Sequence, residues 1–280
     1  MIYIKKVFKI IFPENIYIFI SRKIVAPFRF KYLNFIISKS KIQVKDKHNM
    51  TEVSYFSYLD LSYNHIRKSG NSNIFIVLYH ILNEMHFHTP DLDATKNDPI
   101  PDAMRSKFLG LDKYPASIEF LRKIYNSYKF TFVRNPYVRA VSMFRERIIK
   151  IGILKNELGV LKNNKNGFEK FVTFLENGGM KMNKHFETQT NHLFFRLRDY
   201  DFIGKLENIE TDFAIIMIQN KIFISKEIQS IISKRTNTSH VTKGEIYFDK
   251  YYDSVLAKRV FNLYKEDFIN FGYSNEIPYE

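Results

Sequence analysis

The strongest constraint on this chain is a strand, a loop and a helix read in succession from Tyr58 to Met85. Between Tyr58 and Ile66 apolar and polar residues partly alternate, the pattern of a half-buried strand. A polar turn, Arg67-Lys68-Ser69-Gly70-Asn71, follows at once. Ile74, Val77, Leu78, Ile81, Leu82 and Met85 then recur at the spacing of one helix face, with Ser72 or Asn73 placed to cap it. The order repeats downstream. Phe130 to Val133 reads as a short apolar strand, and Pro136 opens a helix whose apolar face is Tyr137, Ala140, Val141, Phe144 and Ile148. Asp201 to Gly204 reads as another buried strand, followed by a helix from about Ile209 to Ile218. Further helical patterns cover Ile118 to Tyr125, Phe168 to Leu175 and Val255 to Phe268, the last ending before Gly272. Strands alternating with helices predict an α/β fold with a mainly parallel sheet.

At 280 residues, 45% of them hydrophobic and including 27 Phe and 18 Tyr, the chain can bury a substantial core and is not disordered. The absence of cysteine excludes disulfides, Cys-ligated zinc and iron–sulfur clusters, so the core holds by packing. A net charge of +14 favours polyanionic partners. The sequence divides into a basic, aromatic N-terminal appendage at residues 1–50 and a main domain at 51–280. In the first ~45 residues apolar runs are interrupted by charges and prolines, so neither a spanning helix nor a signal peptide is predicted, and peripheral contact with a membrane surface stays open. His86 to Pro115, with Pro90, Pro99 and Pro101, is predicted to be a long loop of the kind that carries binding elements.

Two segments carry anion-binding chemistry. In Lys68-Ser69-Gly70-Asn71-Ser72-Asn73 the glycine allows close backbone approach, the helix N-terminus offers N–H groups and Lys68 adds charge. It is not the triphosphate loop GxxxxGK[ST], because its lysine precedes the glycine. In Phe132-Val133-Arg134-Asn135-Pro136 an arginine leaves a strand end, and Ser142 follows eight residues later in the next helix. A guanidinium fork and a hydroxyl can share one anion. A bland alternative stands beside each: a common polar turn for the first, an ordinary ion pair and a small packed serine for the second.

These residues resemble the two donor-binding motifs of sulfotransferases that use 3′-phosphoadenosine-5′-phosphosulfate (PAPS). The lysine–glycine loop is similar to their 5′-phosphosulfate loop, and FVRNPYVRAVSMFRER to their 3′-phosphate motif. The chain further resembles the carbohydrate sulfotransferases of the chondroitin and dermatan 4-O-sulfotransferase type and their bacterial relatives. Asn183-Lys184-His185-Phe186, Tyr200 to Glu207 (YDFIGKLE), and Leu263 to Tyr273 (LYKEDFINFGY) fit that pattern, so the resemblance runs from about Tyr58 to Tyr273. It implies a P-loop-NTPase-like three-layer core and PAPS as co-substrate, with a carbohydrate acceptor and neither a metal nor nucleic acid. It implies that Lys68 and the Ser69, Gly70, Asn71, Ser72 and Asn73 stretch bind the 5′ end of the donor, and that Arg134 and Ser142 hold the 3′-phosphate. The hydroxyl's base is then His185, which has the family match, or His88 in the long loop. Departures are Arg67, where many relatives carry Pro or Cys, and Asn71, where a small residue is usual.

Two other readings compete: a P-loop-like kinase using ATP, and a non-catalytic basic protein that binds membrane or polyanion. Lys/Ile/Asn-rich usage without cysteine points to an AT-rich bacterial genome and a cytoplasmic enzyme.

Overall fold

The computed structural model describes residues 35–40, 42–85, 118–238 and 248–276. The predicted loop between His86 and Pro115, with His88, lies outside the described residues, as does the N-terminal segment through residue 34.

A four-stranded sheet forms the centre, in the order β1 (Val53–Phe56), β2 (Leu61–Asn64), β3 (Tyr128–Val133) and β4 (Phe202–Lys205). The first pair is antiparallel, Val53 opposite Asn64 and Phe56 opposite Leu61. The other two are parallel, with Tyr63 opposite Phe130 and Phe130 opposite Phe202. The protein is therefore α/β with a mostly parallel sheet, as predicted, plus one antiparallel edge strand.

Alternation along the strands splits the residues between two covered faces. Phe56, Leu61, Tyr63, Phe130 and Phe132 pack beneath α1 (Asn71–Glu84), α5 (Ile209–Gln219) and α6 (Lys226–Thr238), with Tyr63 stacked on Phe130 at 5.0 Å. Gly204 lies against the Phe132 ring, where a Cβ would come within 2.5 Å of it. On the opposite face Val53 and Tyr55 pack with α2 (Ile118–Asn126) and with Phe194 and Phe195.

That second face is more polar and is tied by hydrogen bonds. Buried Asn64 donates to the carbonyls of Glu52 and His192, and its Oδ1 accepts from Phe194 N–H at 2.7 Å. Residues 42–50 close over the same segment: Lys45 N–H donates to the Phe194 carbonyl, and Asn49 donates to the carbonyls of Asn191 and Leu193.

A second, strongly aromatic cluster holds α3 (Pro136–Met143) against α4 (Lys165–Glu176), α7 (Ser254–Leu263) and α8 (Lys265–Asn270). Tyr137 meets Phe268 at 4.8 Å, and Phe144 meets Phe168 and Phe171. The predicted C-terminal helix is two helices that break at Tyr264. The helix opened by Pro136 is α-helical only to Met143. Phe144–Lys150 is a π-helical turn, a geometry that inserts a residue into the helical ladder and often marks a functional site.

Candidate active site

The three parallel strands end on one side of the sheet, where ligands of open α/β sheets bind. Lys68 follows β2, Arg134 follows β3 and Glu207 follows β4.

After β2 the chain turns sharply, with Lys68 at φ 70° and Gly70 at φ 78°. Gly70 is itself the N-cap of α1 and supplies no side-chain cap, which corrects the expected caps at Ser72 or Asn73. The physical reason is the left-handed backbone at Gly70, which starts the helix two residues earlier than a side-chain cap at Ser72 allows. A Cβ at Gly70 would lie 2.4 Å from Leu206 Cδ1, so the loop sits tightly on the β4 end.

The N–H groups of this loop are not equivalent. Ser69 donates to Ile66 O and Asn73 to Gly70 O, whereas Asn71 and Ser72 occupy the first turn, whose N–H groups have no intrahelical acceptor. Ser69 is fully buried, its hydroxyl donating inward to Gln189 Oε1 at 2.8 Å, and Asn71 Oδ1 accepts from Tyr63. Ser72 is exposed at the mouth of the turn.

Past β3, Asn135 caps α3 by accepting from Tyr137 and Val138 N–H, and Pro136 fills the first helical position, as predicted. Arg134 is buried, and burial pushes its guanidinium down to about 10, with Glu207 opposing. Glu207 accepts from Asn135 N–H at 2.7 Å and from the Tyr273 hydroxyl at 2.9 Å, thereby bracing the turn that carries Arg134. Ser142 is half-buried, three residues after Arg139 and so on the same helix face.

Gln189 joins the two motifs. It is fully buried in the segment before Thr190–His192, and its Oε1 accepts from both Ser69 Oγ and Arg134 N–H, each at 2.8 Å. Its Nε2 donates to the Arg134 carbonyl at 2.8 Å. Asp267, equally buried, accepts from the N–H groups of Gln189 and Thr190 and from the Thr190 hydroxyl. Its carboxyl is raised by burial, with Arg139 and these donors opposing.

Arg139 performs a parallel task. It is 1% exposed, and it donates to the carbonyls of Arg67 (3.0 Å), Glu187 (2.9 Å) and His185 (3.3 Å), holding the lysine loop and the histidine segment on one guanidinium.

Lys68 pairs with Glu146, and His185 meets Arg147, so adjacent residues of the π-helical turn engage two of the three sequence-predicted catalytic groups. Burial, then Arg134, Arg147, Arg139 and Lys150, push the Lys68 ammonium down to about 7, while Glu146 provides a counter-charge. The same forces, burial first and then Arg147, Arg67, Lys68 and Arg139, push the His185 imidazole down to about 3. Arg147 can only donate, so His185 Nε2 is the acceptor and the ring proton resides on Nδ1, directed at Asn183 Oδ1 at 2.8 Å. Asn183 Oδ1 also accepts the His185 backbone N–H, which fixes the ring.

Beneath Arg67 lies a buried carboxylate. Glu52 pairs with His65 at 3.1 Å and Arg67 at 3.0 Å, with Lys184 at 3.8 Å. Burial works against its charge, but the hydrogen bond from His65 and the charges of His65, Arg67 and Lys184 hold the carboxyl down at about 2.

Of the sequence-predicted residues, the structure thus joins Lys68, Ser69, Gly70, Asn71, Ser72, Asn73 and Arg134 through one sheet edge and Gln189, with His185 reached through Arg139 and the π-helical turn. Sequence reasoning missed Gln189, Asp267, Glu146 and Arg147 as site-builders and gave Arg139 no role. Asp267 stood in a quoted motif, and Arg147 closed another, but no residue pattern marked Gln189. Among the described residues no cluster of three or more His, Asp or Glu side chains is arranged to hold a metal ion, and no helix is long and apolar enough to cross a membrane.

A glycine turn into a helix without a side-chain cap, a lysine and a buried arginine at adjacent strand ends give this α/β protein an anion-attracting carboxyl edge to its sheet. Residues 56–274 match the sulfotransferase family, and the chain belongs to it. Its general chemistry is sulfuryl transfer, and that family generally draws the group from PAPS. No curated protein and no solved structure matches the chain.

Proposed function

We propose that this chain transfers the sulfuryl group of PAPS to a hydroxyl of a carbohydrate acceptor, as the chondroitin and dermatan 4-O-sulfotransferases do, on a P-loop-NTPase-like three-layer core. The observation that carries the reading is Gln189, which bonds Ser69 of one motif and Arg134 of the other. Groups suited to the two ends of one donor are thereby held as a unit.

The residues fit that donor. The Gly70 turn has no room for a Cβ, and the first N–H groups of α1 have no side-chain cap, so backbone and helix N-terminus can receive the 5′-phosphate. Gly70, Asn71, Ser72 and Asn73 line this turn, while Ser69 secures it from behind. Arg134, with Ser142, holds the 3′-phosphate and so selects PAPS over ATP. PAPS supplies the sulfuryl group and a phosphate leaving group. Lys68 neutralises the charge that grows on the leaving oxygen as the acceptor oxygen bonds to sulfur and the bridging S–O bond breaks.

His185 receives the hydroxyl proton on Nε2, the nitrogen its Asn183 contact leaves unprotonated, once Arg147, whose NH2 donates to that nitrogen in the free protein, turns away to the incoming anion. Burial and the cations that depress it, Arg147, Arg67, Lys68 and Arg139, keep it neutral, and a polyanionic donor offsets those cations and restores proton affinity. His88 is the second base candidate. The compositional reading puts the work in the cytoplasm, with peripheral membrane contact assigned to the basic, aromatic N-terminal segment ahead of the packed residues 42–50.

Calorimetric titration with adenosine 3′,5′-bisphosphate and ATP tests the donor assignment. The bisphosphate is expected to bind at least tenfold more tightly, with Lys68→Ala abolishing transfer of labelled sulfate to a glycan panel and Arg134→Ala weakening bisphosphate binding. Preference for ATP, or full activity in both variants, would overturn it.

A further inference from the structure

Arg67 and Arg147 approach His185 from different elements, Arg67 from the turn after β2 and Arg147 from the π-helical turn. Arg139 fixes the backbone of the first against the histidine segment by bonding the carbonyls of Arg67 and His185. Arg147 NH2 contacts His185 Nε2 directly. Each arginine has one arm committed: Arg67 NH2 to Glu52 at 3.0 Å, Arg147 NH2 to the imidazole. In each, the Nε–H is buried and has no hydrogen-bond partner.

A buried donor without an acceptor forfeits its hydration with nothing in return, and two on neighbouring guanidinium groups are a costly arrangement to keep. Like charge compounds the cost, since burial and then Arg67 lower the Arg147 guanidinium. The carboxylates nearby are shared, Glu52 between His65 and Arg67, and Glu146 between Lys68 and the NH2 of Arg147 at 3.8 Å, so neither reaches an Nε–H. Lys68, Lys150 and Lys184 add further positive charge around the cluster. Both side chains are partly open to solvent, at 34% and 26%, while each Nε itself is buried, so an ion meets these donors as the side chains turn outward.

We propose that Arg67 and Arg147 form a second oxyanion subsite beside His185, distinct from the α1 N-terminus and from Arg134, that receives a sulfonate or carboxylate group through the two Nε–H donors. Its occupant is either the sulfuryl group in transit or an acidic group on the acceptor. The subsite rests on the sulfuryl-transfer reading only in the choice between these two sources.

Inorganic sulfate is the probe, titrated into full-length protein saturated with adenosine 3′,5′-bisphosphate, and separately into protein saturated with PAPS. Sulfate is expected to bind the bisphosphate complex, and Arg147→Lys and Arg67→Lys to weaken it at least tenfold while leaving bisphosphate affinity and Tm near wild type. The lysine variants keep the charge and remove the Nε–H, so they separate hydrogen-bond geometry from net charge. Exclusion of sulfate by PAPS assigns the subsite to the transferred group, and sulfate binding to both complexes assigns it to the acceptor. Sulfate affinity that is absent, or unchanged in both variants, overturns the proposal. If the bisphosphate itself does not bind, the donor reading falls. Titration of free protein then tests the subsite alone, with loss of a sulfate site in Arg147→Lys supporting it and no loss refuting it.

Discussion

Gln189→Leu offers the sharpest test of how the site is built. The side chain is fully buried and makes three hydrogen bonds of 2.8 Å, accepting from Ser69 and Arg134 and donating to the Arg134 carbonyl. Leucine fills similar volume and leaves three buried polar groups without partners, each at about 1–3 kcal/mol, so a combined loss of about 3–6 kcal/mol is expected once partial relaxation is allowed. At roughly 2–4 °C per kcal/mol for a domain of this size, Tm should fall by roughly 6–24 °C. The functional effect should exceed the structural one at working temperature, because the Lys68 turn and the Arg134 turn lose their common anchor. Urea unfolding gives the stability term, and titration with adenosine 3′,5′-bisphosphate at a temperature where the variant is folded gives the binding term. Ser69→Ala removes only one donor to an oxygen that Arg134 N–H still satisfies, so it should cost about 1 kcal/mol, and its effect should vanish in the Gln189→Leu background. Stability within about 1 kcal/mol of wild type together with unchanged bisphosphate affinity would refute the claim that Gln189 couples the motifs.

Gly70→Ala should destabilise by about 2–4 kcal/mol, combining strain at φ 78° with a Cβ 2.4 Å from Leu206, and the loss should shrink when measured in a Leu206→Ala background. An equal loss in both backgrounds would show that Leu206 is not the obstacle. Arg139→Lys should lower the urea midpoint substantially, since an ammonium cannot span the carbonyls of Arg67, Glu187 and His185, and a wild-type midpoint would remove Arg139 from the scaffold. Buried His192 is pushed down to about 3 by burial first and then by Arg139, with Glu52 and a backbone contact at Lys184 opposing. Its folded pKa lies below the unfolded value, so the stability it contributes is present above about pH 6.5 and is lost as pH falls towards 3. Between pH 6 and 5, before carboxylates titrate in the unfolded chain, it should add up to roughly 1.4 kcal/mol of lost stability per pH unit. His192→Leu should flatten that slope, and an unchanged slope would show that His192 does not carry it.

The periodic parts of this fold were open to reading because burial writes itself into spacing. Ile74 to Leu82 repeat at helical intervals because one face of α1 lies on the sheet, and Phe130 and Phe132 alternate with Thr131 because β3 separates two faces. The strand ends were readable for the same reason: a charged residue directly after an apolar run, Arg134 after Val133, can only sit where the run leaves the core. What stayed hidden was carried by single polar residues whose partners lie far off in sequence. Gln189 bonds residues 120 and 55 positions away, and Asp267 bonds residues 78 and 77 away, distances at which no local period survives. The π-helical turn escaped too, because its Phe144 and Ile148 keep the four-residue spacing of an ordinary helix while the turn carries Glu146 to Lys68 and Arg147 to His185.

The same division bears on how the site works. Charge close to Lys68 and His185 is set in part by Glu146 and Arg147, beside Arg134 and Arg139, and neither Glu146 nor Arg147 belongs to the residues assigned to the two phosphates. The turn that bears them can therefore tune the lysine and the imidazole without altering the phosphate contacts. Glu146→Gln tests this separation. Removing the carboxylate leaves Lys68 among Arg134, Arg147, Arg139 and Lys150 with its counter-charge gone, so its ammonium should titrate at still lower pH than the value near 7. The alkaline limb of the transfer rate, where Lys68 loses its proton, should move to lower pH, while affinity for adenosine 3′,5′-bisphosphate well below that limb stays close to wild type. A limb that does not move would mean that Glu146 exerts no control over the charge on Lys68. A large loss of bisphosphate affinity at low pH would mean that the turn belongs to the phosphate cradle itself.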